Sequence, residues 1–141
     1  MKKLTQLKSH LLFAVLFSVT IASCKKDTTQ TAKNIQGLWV GTIGNSSSSG
    51  VPYSLAIKSD GKITFEGYAG NVYHFGVGTW TLSANTFTAN VTTMYGISSN
   101  VGVQQRLTAT FNPSNGTLTN GTYVNVNPAN DNGTFAVTKV Y

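Results

Sequence analysis

The chain is poor in the residues that chemistry usually needs. Of its 141 residues only four are acidic, two are histidine and one is cysteine. A lone cysteine excludes an intrachain disulfide. From residue 35 onward the acids are Asp60 in a turn, Glu66 on a polar strand face and Asp131 in the last loop. A catalytic centre needs a nucleophile with a base, a carboxylate pair or clustered metal ligands. Acids so scattered supply none of these, so no enzyme, no metal site and no cofactor is expected. His74, flanked by Tyr73 and Phe75, reads as a partly buried sheet histidine. Basic residues are scarce as well. The formal charge of +6 is concentrated near the N-terminus, and from residue 35 onward Lys58, Lys62, Arg106 and Lys139 face three acids, a net of +1. A nucleic-acid binder carries a clustered basic footprint, so that partner is excluded. Nor does any apolar run reach the roughly 20 residues of a membrane-spanning helix.

What is present begins at the N-terminus. Lys2, Lys3 and Lys8 precede a nearly unbroken apolar run from Leu11 to Ala22, and small residues lead directly to Cys24. That is the three-part anatomy of a secretory signal, here residues 1–23. Ile21-Ala22-Ser23-Cys24 also resembles the lipobox of bacterial lipoproteins. The resemblance implies cleavage before Cys24, acyl chains such as palmitate on that cysteine, and anchoring in the cell envelope, at the outer membrane. One acyl chain binds a membrane only marginally, whereas the three that the family carries hold permanently. Residues 24–34 are polar and without apolar periodicity, and read as a flexible tether.

Beyond residue 34 short β runs alternate with turn signals. Eight strands are expected, at about 35–43, 51–58, 62–68, 72–82, 86–95, 101–111, 117–126 and 133–141. Asp60-Gly61 suits a tight hairpin, and Asn112-Pro113 and Asn127-Pro128 mark further turns. Period-two alternation gives each strand one apolar face. Tyr53, Leu55 and Ile57 share a side, as do Ile63 and Phe65, then Phe87, Ala89, Val91 and Thr93, then Val101, Val103, Leu107, Ala109 and Phe111. One wet face means antiparallel pairing. Parity breaks near Gly76 and Gly78, and between Leu118 and Tyr123, which points to bulges. Glycine, any residue, aromatic recurs as Gly37-Leu38-Trp39, Gly78-Thr79-Trp80, Gly121-Thr122-Tyr123 and Gly133-Thr134-Phe135, a pattern in which a ring covers exposed backbone. Trp39, Tyr53, Phe65, Trp80, Phe87, Phe111, Tyr123 and Phe135 form the expected core. Short turns between successive strands favour a closed up-and-down barrel. Asn130-Asp131-Asn132-Gly133 matches part of a calcium loop, but the glutamate such a loop needs is missing, so it reads as a turn.

The first strand, Asn34-Ile35-Gln36-Gly37-Leu38-Trp39-Val40-Gly41, with Gly78-Thr79-Trp80 and the closing Gly133-Thr134-Phe135-Ala136-Val137-Thr138-Lys139, resembles the lipocalin-like (calycin) β-barrel. The resemblance covers residues 35–141 and implies an all-β, eight-stranded antiparallel barrel. It also implies a structural clasp in which a basic residue near the chain end, here Lys139, packs across Trp39.

These readings together give a membrane-anchored, non-catalytic binding module for a small apolar or amphipathic ligand. The alternative is a filled barrel that docks an envelope protein or a glycan. If the barrel is open, its mouth lies away from Trp39, ringed by the Gly44–Gly50 loop and the tyrosines near strand ends. Tyr68, Tyr73 and Tyr95 are the expected ligand-binding residues.

Overall fold

The computed structural model describes residues 34–46, 48 and 50–140. The expected signal peptide, Cys24 and the expected tether up to residue 33 lie outside the described residues. Eight antiparallel strands close into one barrel in chain order: β1 (Gly37–Gly44), β2 (Val51–Ile57), β3 (Lys62–Ala69), β4 (Val72–Ser83), β5 (Thr86–Tyr95), β6 (Gln104–Asn112), β7 (Thr117–Asn127) and β8 (Asn132–Lys139). Among the described residues the only helix is a single 3-10 turn, Ser98–Asn100, and none is long and apolar enough to cross a membrane. The all-β up-and-down barrel is the architecture the alternation pattern requires.

Alternation decides which side chains fill the interior. Tyr53, Leu55 and Ile57 of β2, Ile63 and Phe65 of β3, and Phe87, Ala89 and Val91 of β5 are all buried. Fully burying one such large apolar side chain stabilises the fold by about 1.5–3 kcal/mol. The glycine–aromatic repeat has a cross-strand explanation. Gly121 of β7 pairs with Phe135 of β8, and Tyr123 pairs with Gly133. A Cβ on Gly121 would stand 2.9 Å from the Phe135 ring, and one on Gly133 would stand 2.7 Å from the Tyr123 ring. Each large ring therefore lies over the bare backbone of the opposite strand. Phe65 covers Gly76 in the same way across β3 and β4.

Bulges fall where parity breaks. The β4–β5 register shifts at Phe75/Gly76, and the β7–β8 register shifts between Leu118 and Gly121. In two places the inner face is smaller than the sequence pattern implies. Val101 is 50% exposed and lies ahead of β6, because Gly102 has φ 85° and turns the chain there; burial in this run begins at Val103. Trp80 is only partly buried. It sits at the end of the barrel, where its Nε1 donates to the Lys58 carbonyl at 2.9 Å.

Closure is made by β1 and β8, which pair from Trp39 opposite Lys139 to Gly44 opposite Thr134. The Lys139 ammonium donates to the Asn34 carbonyl at 2.6 Å, so the chain end reaches the residues that lead into β1. That bond is exposed and competes with water. Lys139→Ala is therefore expected to cost about 1 kcal/mol or less in urea unfolding; a larger loss would mean that the lysine holds the barrel shut.

Candidate binding site at the open end

Strand direction divides the barrel into two ends. β1 starts at the Trp39 end, so the loops after β1, β3, β5 and β7 gather at the other. The Trp39 end is solid. Trp39 is 0% exposed, meets Phe111 edge-on at 6.0 Å, and donates its Nε1 proton to the Ile35 carbonyl at 2.8 Å. Ile35 itself is buried beneath the barrel.

Toward the opposite end the inward-facing positions turn polar. His74, Thr93, Gln105, Asn125 and Asp131 join Tyr53, Phe65, Val103 and Tyr123 around a cavity of about 210 Å³. An apolar cavity of about 150 Å³ admits a benzene-sized molecule. This one therefore has room for a ring with a short substituent, not for a long acyl chain. The barrel is thus filled in one half and hollow in the other. A larger hollow of about 520 Å³ lies on the outer wall, lined by Thr42, Thr122, Thr134 and Ala136 among others.

The polar groups of the cavity are of two kinds. Some are satisfied: Asp131 accepts from Tyr123 Oη at 3.0 Å and from Asn45 Nδ2 at 3.1 Å, and Gln105 Nε2 donates to Asn125 Oδ1 at 2.8 Å. Others are not. Tyr53 Oη and His74 Nε2 are buried with no hydrogen-bond partner among the described residues, in residues only 4% and 9% exposed. A buried polar atom left unpaired costs about 1–3 kcal/mol, and in a native fold it asks for a ligand or a water. The imidazole keeps its place because residue 96 is glycine, with φ 150°; a Cβ there would run into Nδ1 and stand 3.0 Å from Cε1.

Burial pushes the Tyr53 hydroxyl far above its ordinary range, with Tyr123 adding to the effect. Burial also pushes Tyr123 up to about 12, reinforced by its hydrogen bond to Asp131 and by that carboxylate's charge. Both phenols stay protonated in the folded state where the unfolded chain, near the ordinary value of 10.0, gives its protons up. The unfolded state then holds fewer protons, so their contribution is complete below about pH 10 and is lost as pH rises toward 12. Urea midpoints measured across that window should fall, and Tyr53→Phe should flatten the fall. At pH 8 the same substitution should leave stability equal or slightly higher, since it removes an unpaired hydroxyl. A clear loss at pH 8 would show that the hydroxyl has a partner.

Of the three tyrosines expected at the mouth, Tyr68 lines the cavity, and Tyr73 and Tyr95 do not. Tyr68 lines the cavity rim, but its ring packs on Tyr73 at 4.8 Å, and Tyr73 is 71% exposed. Both lie at outward positions of β3 and β4, opposite one another in register. Tyr95 would point inward by simple alternation from Thr93. The register instead pairs Gly76 with Thr93 and Phe75 with Tyr95, so Met94 is an extra residue that turns Tyr95 to the outer face. Tyr73 and Tyr95 are therefore not among the residues that line the cavity. His74, Gln105, Asn125 and Asp131 hold those positions instead. Their signal in the sequence was polar residues continuing the inward parity at strand ends far from Trp39. Comparisons with protein-family models, with curated proteins and with solved structures found no match for this chain.

Proposed function

We propose that the domain is the binding module of a lipid-anchored envelope protein, a lipocalin-like barrel that holds one small amphipathic molecule and performs no reaction on it. The observation that carries this reading is the cavity of about 210 Å³ lined by Tyr53 and His74, each of which carries a buried polar atom, Oη and Nε2, with no hydrogen-bond partner among the described residues. Aromatic and aliphatic side chains mixed with convergent polar groups, as in this lining, suit a small amphipathic molecule. Native mass spectrometry of the protein purified from its own host tests it. A bound species of a few hundred daltons or less is expected, and Phe65→Trp, which fills the space, should abolish it. An empty protein in every preparation would count against the reading.

The alternative, docking of an envelope protein or glycan, draws on the Tyr68–Tyr73 pair of the outer wall. It predicts retained partner capture after Phe65→Trp and loss after Tyr73→Ala.

Anchoring is a separate part of the proposal and rests on the apolar run and small residues before Cys24. Cys24→Ala should move the protein from the membrane fraction to the soluble one without altering its unfolding midpoint. Continued sedimentation with membranes after a salt wash would sink the lipoprotein assignment, and with it the outer-membrane location.

A further inference from the structure

We infer, building on the binding-module reading above, that the cavity selects a small organic cation, an ammonium on a ring-sized apolar body, over neutral or acidic molecules of the same shape. Among the described residues Asp131 is the only acid lining the cavity, and no lysine or arginine lines it. Its carboxylate accepts from Asn45 Nδ2 at 3.1 Å, the Asn132 backbone N–H at 2.9 Å and Tyr123 Oη at 3.0 Å. All three donors are neutral. They hold the carboxylate in place, and among the described residues no lysine or arginine forms an ion pair with it. A carboxylate has about four acceptor sites, so one more donor can be taken, and a charged donor makes the stronger bond.

The rest of the lining suits the same ligand. An ammonium carries several N–H groups and needs an acceptor for each. Tyr53 and His74 line the cavity, and their buried Oη and Nε2 have no hydrogen-bond partner among the described residues; turned toward the cavity, Oη accepts in any rotamer, and Nε2 accepts when the ring proton is on Nδ1. The faces of Tyr53, Phe65 and Tyr123 border the cavity and attract a cation through their ring quadrupoles. An acidic ligand meets the opposite situation. Its charge would enter a site that already holds a carboxylate and, among the described residues, no lysine or arginine to pair with it, which disfavours the ionised form. Fatty acids and aryl carboxylates are thereby disfavoured twice, by charge and, for long chains, by length.

The test uses the full-length protein and three probes of nearly one shape: 2-phenylethylamine, 2-phenylethanol and phenylacetate. Isothermal titration should rank them amine, alcohol, acid, with the amine about tenfold tighter than the alcohol, as expected for a charge-assisted against a neutral hydrogen bond. Asp131→Asn, which keeps an acceptor for Asn45 and the Asn132 N–H, should shrink that ratio to about twofold or less. Equal binding of amine and alcohol, or tighter binding of the acid, overturns the charge selection and leaves the binding module standing. An undiminished ratio in Asp131→Asn overturns the role given to that carboxylate. Failure of all three probes on the unmodified protein overturns both readings, whatever the variant does.

Discussion

Trp39→Ala should destabilise the barrel by about 3–5 kcal/mol, as large-to-small changes of buried aromatics do. The indole is fully buried and packs against Phe111. It lies opposite Leu55 on one side and Lys139 on the other, so it belongs to the seam that closes the barrel. Its removal opens a void that neighbouring strands cannot collapse into without breaking that seam. It also leaves the Ile35 carbonyl without its donor. Trp39→Phe separates the two effects: it keeps most of the volume and loses only the hydrogen bond, for about 1–2 kcal/mol. Guanidinium unfolding of both variants at pH 7 checks the ordering. A Trp39→Ala midpoint close to that of the unmodified protein would mean that the solid end is not the keystone of closure.

Adding one methyl group can be nearly as harmful as removing a ring. At Gly78 a Cβ would strike the Asn90 carbonyl oxygen and stand 2.7 Å from the Val91 Cα. Both obstacles are backbone atoms of β5, paired with β4 at that point, so no side chain can rotate away. Gly78→Ala should therefore cost about 3 kcal/mol, at the upper end of overpacking penalties. Gly102→Ala provides the contrast. Nothing stands within 4 Å of its Cβ, and only the φ of 85° opposes the change. About 1 kcal/mol is expected there, the ordinary strain of a left-handed residue with a side chain. Comparable losses at the two positions would show that strand spacing at Gly78 relaxes more easily than its backbone contacts imply.

The barrel was legible in the sequence because its signals are local. Alternation in 86–95, the Asp60-Gly61 turn and the glycine–aromatic repeat each act over a few residues and agree with one another. Where a single backbone angle intervenes, parity stops being a guide. Gly102 delayed the strand expected from Val101 until Gln104, and the extra residue Met94 reversed Tyr95. Tyr73 and Tyr95 fall outside the cavity lining for a related reason. Tyrosines near strand ends look like binding residues wherever they point, and only the register separates inside from outside. His74 looked like an ordinary sheet histidine, and by burial it is one; its unpartnered Nε2 is visible only in three dimensions. Asp131 had been read as a turn residue. It is also that, since its side chain accepts from the next backbone N–H.

The seam between β1 and β8 also fixes the order in which this molecule becomes safe from its neighbours. A chain emerging from its N-terminus has β1 to β7 available before β8 exists. Until β8 arrives, β1 and β7 each present a row of unpaired amides and carbonyls, which are templates for another chain. The two halves of the missing contact are almost as far apart in sequence as this domain allows, so the slowest closure comes last. A truncation that removes β8 therefore does more than weaken a fold. It leaves two sticky edges on every copy, and such fragments should form sheets with one another long before they simply unfold.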